Sequence, residues 1–108
     1  MKLLFAIIQK EDTRPLTRAL IENDISVTRI ASSGGFLSGG NTTLMIGVEK
    51  DRLETALKVI REKSSRRHSV TVPAAGMPQA LESVAMPIQV MIGGATVFIV
   101  DVEAFHKF

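Results

Sequence analysis

An unbroken apolar run at residues 3–8 constrains the fold of this chain more than any other feature. Successive side chains of a β-strand point to opposite faces of the sheet, so a strand that is apolar at every position needs cover on both faces. We therefore expect a strand that is central in its sheet or packed on both sides. The run is far shorter than the roughly 20 apolar residues of a membrane-spanning helix.

The segments that follow alternate between helical and extended patterns. Asp12 or Thr13 can cap a helix that accepts Pro15 in its first turn, where the missing N–H costs no hydrogen bond. A strand is expected at residues 25–31, with Ile25 and Val27 on one face and Ser26 and Thr28 on the other. Another strand is expected at residues 43–48, and Gly47 inside it suggests a bulge or a close approach to the backbone. A second helix is predicted by apolar side chains at spacings i, i+3, i+4 and i+7, namely Leu53, Ala56, Leu57 and Ile60.

The last third of the chain is less regular. A short strand is expected at residues 70–72, and residues 73–87 form a long stretch that we interpret as a mobile loop. Residues 88–92 and 95–100 are two apolar runs on either side of Gly93-Gly94, and they predict either a strand pair or one strand interrupted by a bulge. A final turn is expected at residues 102–108. The order predicts one domain over residues 1–108, of the α+β class, with a ferredoxin-like βαββαβ arrangement, an extra strand and long loops.

Composition argues against several classes of function. The chain has no cysteine, which excludes thiolate chemistry and disulfides, and neither of its two histidines has an acid at a spacing that implies a catalytic triad or a metal site. The nearest pair, Glu103 with His106, lacks further ligands. We expect neither an enzyme nor a metal site. A net charge of +2 is too small for a nucleic-acid polymer as partner. The basic stretch at residues 61–68 is interpreted as cations near a helix C-terminus, with an anionic ligand as the alternative. We expect a cytoplasmic protein without membrane contact.

Residues 34–43 place Phe36 and Leu37 between two glycine pairs, followed by Asn41 and two threonines. Glycine permits positive φ and close approach to the backbone, while amide and hydroxyl groups can pair with polar edges. The segment is typical of a loop that grips a ligand, and an exposed Phe suits stacking on a nucleobase. The alternative is a hairpin tip buried by a neighbouring subunit.

Three stretches carry a resemblance to a known family: residues 34–43, residues 93–108 with the sequence GGATVFIVDVEAFHKF, and the N-terminal MKLLFAIIQKED. They resemble the PII-like cyclic-di-AMP receptors, small signal-transduction proteins of about this length. The resemblance covers nearly the whole chain and is weakest at residues 64–86. It implies a homotrimer of ferredoxin-like subunits that holds one cyclic dinucleotide in each cleft between neighbours, with loops that rearrange on binding and a downstream protein partner of unknown identity.

The resemblance also implies roles for particular residues. Phe36 and Leu37 would pack on adenine, Gly35 and Asn41 would hydrogen-bond the nucleotide, and Thr28 would approach a phosphate. The remaining ligand-binding positions would line the cleft or lie behind it; they are Ser26, Gly47, Gly93, Gly94, Ala95 and Phe98.

Two positions depart from the family pattern. Members often carry Arg where this chain has Ser26, and Asn where it has Asp24. The loss of a hydrogen bond to a charged group costs about 1.5 to 3 kcal/mol, or roughly one to two decades in affinity. Arg29 or the pair Arg66-Arg67 is a candidate to compensate. Two other functions stay open: a PII-like sensor of another adenine nucleotide such as ATP, and a protein-interaction module without a small ligand.

Overall fold

The computed structural model describes residues 1–30, 40–71 and 88–108. Six strands and two α-helices lie in these ranges, and a 3-10 turn precedes each helix. In chain order they are β1 (Lys2–Gln9), α1 (Thr13–Glu22), β2 (Val27–Ile30), β3 (Asn41–Val48), α2 (Leu53–Ser64), β4 (Arg67–Thr71), β5 (Ile88–Ile92) and β6 (Ala95–Asp101). Residues 102–108 follow without a helix or strand. In the described ranges, neither helix is long and apolar enough to cross a membrane.

The main sheet has four antiparallel strands in the order β2-β3-β1-β6. This is the strand order of a ferredoxin-like fold in which β6 takes the place of the fourth strand. The apolar strand β1 lies inside the sheet, between β3 and β6, as its composition predicts. The α+β class and the ferredoxin-like arrangement are therefore confirmed.

One face of the sheet packs against both helices to form the core. Leu4 and Ile8 of β1 and Ile46 of β3 are fully buried there, together with Leu16 and Leu20 of α1. Burial of each such side chain contributes about 1.5 to 3 kcal/mol of hydrophobic free energy. The helical periodicity seen in the sequence of α2 is the inward face of that helix, with Ala56 and Ile60 in the core.

The opposite side of the main sheet, called the open face below, carries no described helix. It presents Leu3 and Phe5 from β1, Met45 from β3, and Phe98 and Val100 from β6, as the alternation and the register dictate. Phe98 is 49% exposed and Val100 is 45% exposed. Within the described part of the chain, the helices therefore cover only one of the two faces for which the sequence predicts cover.

Strands β4 and β5 form a separate two-stranded antiparallel sheet. The prediction that residues 88–92 and 95–100 pair with each other, or form one interrupted strand, is wrong, because β5 pairs with β4 whereas β6 pairs with β1. Gly93 and Gly94, with φ of 80° and 106°, carry the chain from one sheet to the other. Two strands, rather than one, are thus added to the βαββαβ core. The proposed loop at residues 73–87 lies outside the described residues.

The structure also differs from two local predictions, which concern Gly47 and Asp12. Gly47 faces Leu3 in an unbroken ladder, so β3 has no bulge there. Asp12 does occupy the position before α1, but its side chain makes no capping hydrogen bond to the helix. It pairs with an arginine instead, as described below.

Candidate functional site

A cleft on the open face brings together three of the residues selected from the sequence. Ser26, Thr28 and Gly47 line a cavity of about 490 Å³. Ser26 and Thr28 point the same way because side chains alternate along residues 25–28, where Ile25 and Val27 pack into the core. Gly47 lies on β3, the neighbouring strand of the sheet. The volume lies within the range of small-ligand sites, about 300 to 1,000 Å³.

The rest of the cleft is mostly apolar, and sequence reasoning did not select it. Its walls come from the start of β1, the middle of β3 and the segment after β6, with the residues Met1, Leu3, Met45, Val102 and Phe105. Phe105 is 63% exposed, so its ring is accessible to a flat partner. The C-terminal stretch that carried the family resemblance thus reaches the same cleft as β2. No local pattern links these segments; only the register of the sheet brings them together.

Gly47 has a simple role in this cleft. A Cβ at position 47 would meet nothing within 4 Å, so the fold itself does not require glycine there. The absence of a side chain leaves the floor of the cleft open over the strand backbone. A group lying on this floor can approach the chain closely.

The other selected residues lie elsewhere. Asn41 begins β3 and faces Gln9, six residues and about 20 Å along the strand from Gly47. Phe98 faces Phe5 near the middle of the open face. Gly35, Phe36 and Leu37 lie outside the described residues.

The turn at Gly93, Gly94 and Ala95 is held by the end of α2 and by β1. The Gly93 N–H donates to Gln9 Oε1 at 2.6 Å, and the Gly94 N–H donates to the Ser64 carbonyl at 2.6 Å. A Cβ on Gly93 would lie 2.5 Å from both an Arg67 nitrogen and the Ser65 carbonyl oxygen, so only glycine fits. Gly93 is buried, and its role in one subunit is structural.

Gly94 and Ala95 line a second cavity, called the helix-end cleft below, of about 450 Å³. Its walls include Arg61 and Arg66, whereas none of the described side chains that line the open-face cleft is charged. Ala95 faces Ile8 near one end of β1, whereas Leu3 of the open-face cleft lies five residues or about 17 Å along the same strand, so one subunit does not join the two clefts.

A salt bridge missed at the sequence level fixes the base of the β4-β5 hairpin. Asp12, whose side chain is 4% exposed, accepts hydrogen bonds from both terminal nitrogens of Arg67 at 2.7 and 3.3 Å. The same arginine donates to the Ser65 carbonyl at 3.1 Å. The hydrogen bond from Arg67 to Asp12 raises the pKa of the guanidinium, which therefore stays charged. Asp12 and Arg67 are 55 residues apart in the sequence, and no local sequence pattern predicts that they pair.

Arg29 and Arg67, two of the arginines considered as compensation for the missing charge at Ser26, both lie away from that residue. Arg29 follows Thr28 on β2 and faces Leu44, a core residue, so it lies on the opposite side of the sheet from Ser26. Arg67 is held by Asp12. Neither lines the open-face cleft of its own subunit. Among the described residues, no group of three or more potential metal ligands occurs.

Comparison with known proteins is consistent with this architecture. A solved structure described as a functionally unknown protein from Pediococcus pentosaceus ATCC 25745 matches with a TM-score of 0.82 and 36% identity, over 99% of this chain and 96% of the other. The family model described as cyclic-di-AMP receptor matches residues 1–108, which is the whole sequence. The chain therefore belongs to the cyclic-di-AMP receptor family.

Proposed function

We propose that this protein is a non-enzymatic receptor that binds cyclic-di-AMP between the subunits of a homotrimer and signals by rearranging its loops. The observation that carries the proposal is the open-face cleft, where Ser26, Thr28 and Gly47 meet on an apolar floor. Hydroxyl groups beside an apolar wall suit a ligand with phosphate oxygens next to flat bases. The family match supports the choice of ligand.

The apolar open face supports assembly. Phe98 and Val100 leave nearly half of their surface exposed, on a sheet face that no described helix covers. Exposed apolar patches of this kind mark interaction surfaces. A head-to-tail contact between subunits closes into a ring when the rotation allows it, and such a ring brings opposite edges of neighbouring subunits together.

This arrangement also accounts for the distribution of charge. The described side chains that line the open-face cleft are uncharged, and residues 31–39 contain no charged residue. The α-amino group of Met1 also lies at this cleft, 4.0 Å from the Glu49 carboxylate. Two phosphates bound there need cations from outside the cleft. In a ring, the helix-end cleft of the next subunit brings Arg61 and Arg66 towards the ligand. The site is then divided between two copies of the chain.

Calorimetry with cyclic-di-AMP tests the proposal directly. We expect a saturable signal, weakened about fivefold by Thr28→Val because a hydroxyl hydrogen bond contributes about 1 kcal/mol. Thr55→Val, on α2 and outside the described linings of both clefts, is the matched control and leaves affinity unchanged. Asn41→Ala and Phe36→Ala test the loop in the same way. No heat and no thermal shift at high micromolar ligand, with the oligomer intact, would exclude cyclic-di-AMP.

The departure at Ser26 provides a test in the opposite direction. Ser26→Arg adds the cation that relatives often carry, and we expect the affinity to rise by about one decade. Asp24→Asn removes an acid beside the site, and Asp24 has φ of 58°, a conformation that Asn accepts readily. Affinity unchanged by both substitutions contradicts the placement of a phosphate near β2.

Competition separates the remaining alternatives. Displacement of cyclic-di-AMP by ATP at comparable concentration indicates a sensor of adenine nucleotides in general. Binding of neither nucleotide favours the interaction module. Light scattering measures the oligomer independently, so a failure of ligand binding is distinguished from a failure of assembly.

A further inference from the structure

A third cavity of about 540 Å³ lies on the helix-covered side of the molecule, between the outer surface of α1 and the edge strand β2. Arg14 and Arg18, one helical turn apart on α1, line one wall, and Arg29 of β2 lines the other. We call it the arginine groove. Thr28 and Arg29 point to opposite faces of the sheet, so the groove is separate from the open-face cleft.

The charge of the groove is strongly one-sided. Three guanidinium groups face a single acid, Glu22, so the groove alone carries as much net charge as the whole chain, which is +2. Among the described residues, no salt bridge engages Arg14, Arg18 or Arg29. Three unpaired cations that converge on one cavity attract an anionic partner and repel a cationic one.

The groove also contains an unsatisfied hydroxyl group. Thr13 lines it and is 8% exposed, and its Oγ1 finds no hydrogen-bond partner among the described residues. Buried polar side chains are paired in the large majority of cases, so such an atom calls for an explanation. A carboxylate seated against this wall of the groove provides the missing acceptor once the side chain turns towards it.

Size and composition favour a protein segment over a small anion or a nucleic acid. From Arg14 to Ile21 the groove follows about 10 Å of helix, and the Ile21 side chain is 60% exposed at its far end. An apolar contact next to arginines matches an apolar side chain flanked by carboxylates. None of the described residues that line the groove is aromatic, so these residues offer no platform for stacked bases.

We propose that the arginine groove is a docking site for an acidic segment of another protein that carries an apolar side chain between carboxylates. Its carboxylates pair with Arg14, Arg18 and Arg29, and its apolar side chain packs on Ile21. Because the groove and the open-face cleft are on opposite sides of the sheet, a docked segment does not compete with a ligand bound near Thr28.

The test uses the full-length protein labelled with ¹⁵N and two synthetic peptides. The probe is acetyl-Glu-Glu-Leu-Glu-Glu-Leu-amide, and the control peptide has Gln in place of every Glu. We expect the acidic peptide alone to cause saturable amide shifts, which cluster at residues 13–22 and at Arg29. Raising the salt from about 50 to 500 mM weakens this binding, because screening reduces the attraction between exposed charges.

Variants assign the effect to the groove. The double substitution Arg14→Ala with Arg18→Ala is expected to weaken binding of the acidic peptide at least about tenfold. Lys63→Ala, which removes an exposed cation from the last turn of α2, is the matched control and leaves it unchanged. Circular dichroism and the spectrum of the free protein show whether each variant is folded.

Three results would overturn the proposal. The first is equal binding of the acidic and the neutral peptide, or binding of neither. The second is acidic-peptide binding that survives the double substitution or produces shifts spread over α2. The third is tighter binding of a single-stranded DNA decamer at residues 13–22, which would assign the groove to nucleic acid instead.

Discussion

The salt bridge between Asp12 and Arg67 yields a quantitative prediction, because its two partners differ in burial. The Asp12 side chain is 4% exposed, whereas that of Arg67 is 44% exposed. Arg67→Met leaves a buried carboxylate without its cation, while Asp12→Asn leaves an arginine that can turn into water. We therefore expect the two substitutions to have unequal costs.

The magnitude follows from the geometry. Removing one partner of a fully buried pair costs about 3 to 5 kcal/mol, and partial exposure of Arg67 lowers this through solvent screening. For Arg67→Met we expect a loss of about 2 to 3 kcal/mol in the free energy of unfolding. For Asp12→Asn we expect about 1 kcal/mol, the usual contribution of a hydrogen bond. The stability of the double variant should be close to that of Asp12→Asn, because the double variant contains no buried charge without a partner.

Urea unfolding followed by circular dichroism measures these differences. A loss of 2 kcal/mol moves the midpoint by about 1 to 2 M urea at an unchanged slope. All four proteins are compared at one protomer concentration, because assembly makes the midpoint depend on concentration. The reasoning is refuted if Arg67→Met costs no more than Asp12→Asn, or if the double variant is less stable than Arg67→Met.

Three further predictions concern glycines, a surface salt bridge and assembly. Gly93→Ala should destabilise the fold by about 2 kcal/mol or more in the same urea assay, because its Cβ would lie 2.5 Å from a backbone oxygen and φ is 80°. Gly47→Ala should change stability little and lower only ligand affinity, because its Cβ would meet nothing within 4 Å. Lys2 holds the pKa of Asp101 below its usual value, mainly through a hydrogen bond. Any stabilisation from this pair is present above the pKa of Asp101 in the unfolded state and is lost as the pH falls through its pKa in the folded state. Lys2→Ala should raise the pKa of Asp101 in a carboxyl NMR titration, and an unchanged pKa contradicts the pairing. Val100→Asp should shift the mass measured by light scattering towards the monomer, and an unchanged mass would exclude this part of the open face from the interface.

Several parts of the fold could be predicted because they depend on local pattern. The period of 3.6 residues identified α2, and the continuous apolar run identified β1 as an inner strand. The alternation of Ile25 and Val27 with Ser26 and Thr28 already separated a core side from a polar side. The turn at Gly93 was recognised, but the partner strand of residues 88–92 was not, because strand pairing is a long-range choice that a short apolar run does not specify.

For the site, the sequence determined which residue types are available, among them a Phe-Leu pair flanked by glycines and the hydroxyl groups of Ser26 and Thr28. The tertiary structure decided which of them meet. Register placed Ser26, Thr28 and Gly47 in one cleft with Phe105, moved Arg29 to the opposite side of the sheet, and paired Asp12 with an arginine far along the chain. The physical reason is that periodicity fixes the direction of each side chain relative to its own backbone, whereas neighbours across strands are fixed only when the whole core packs.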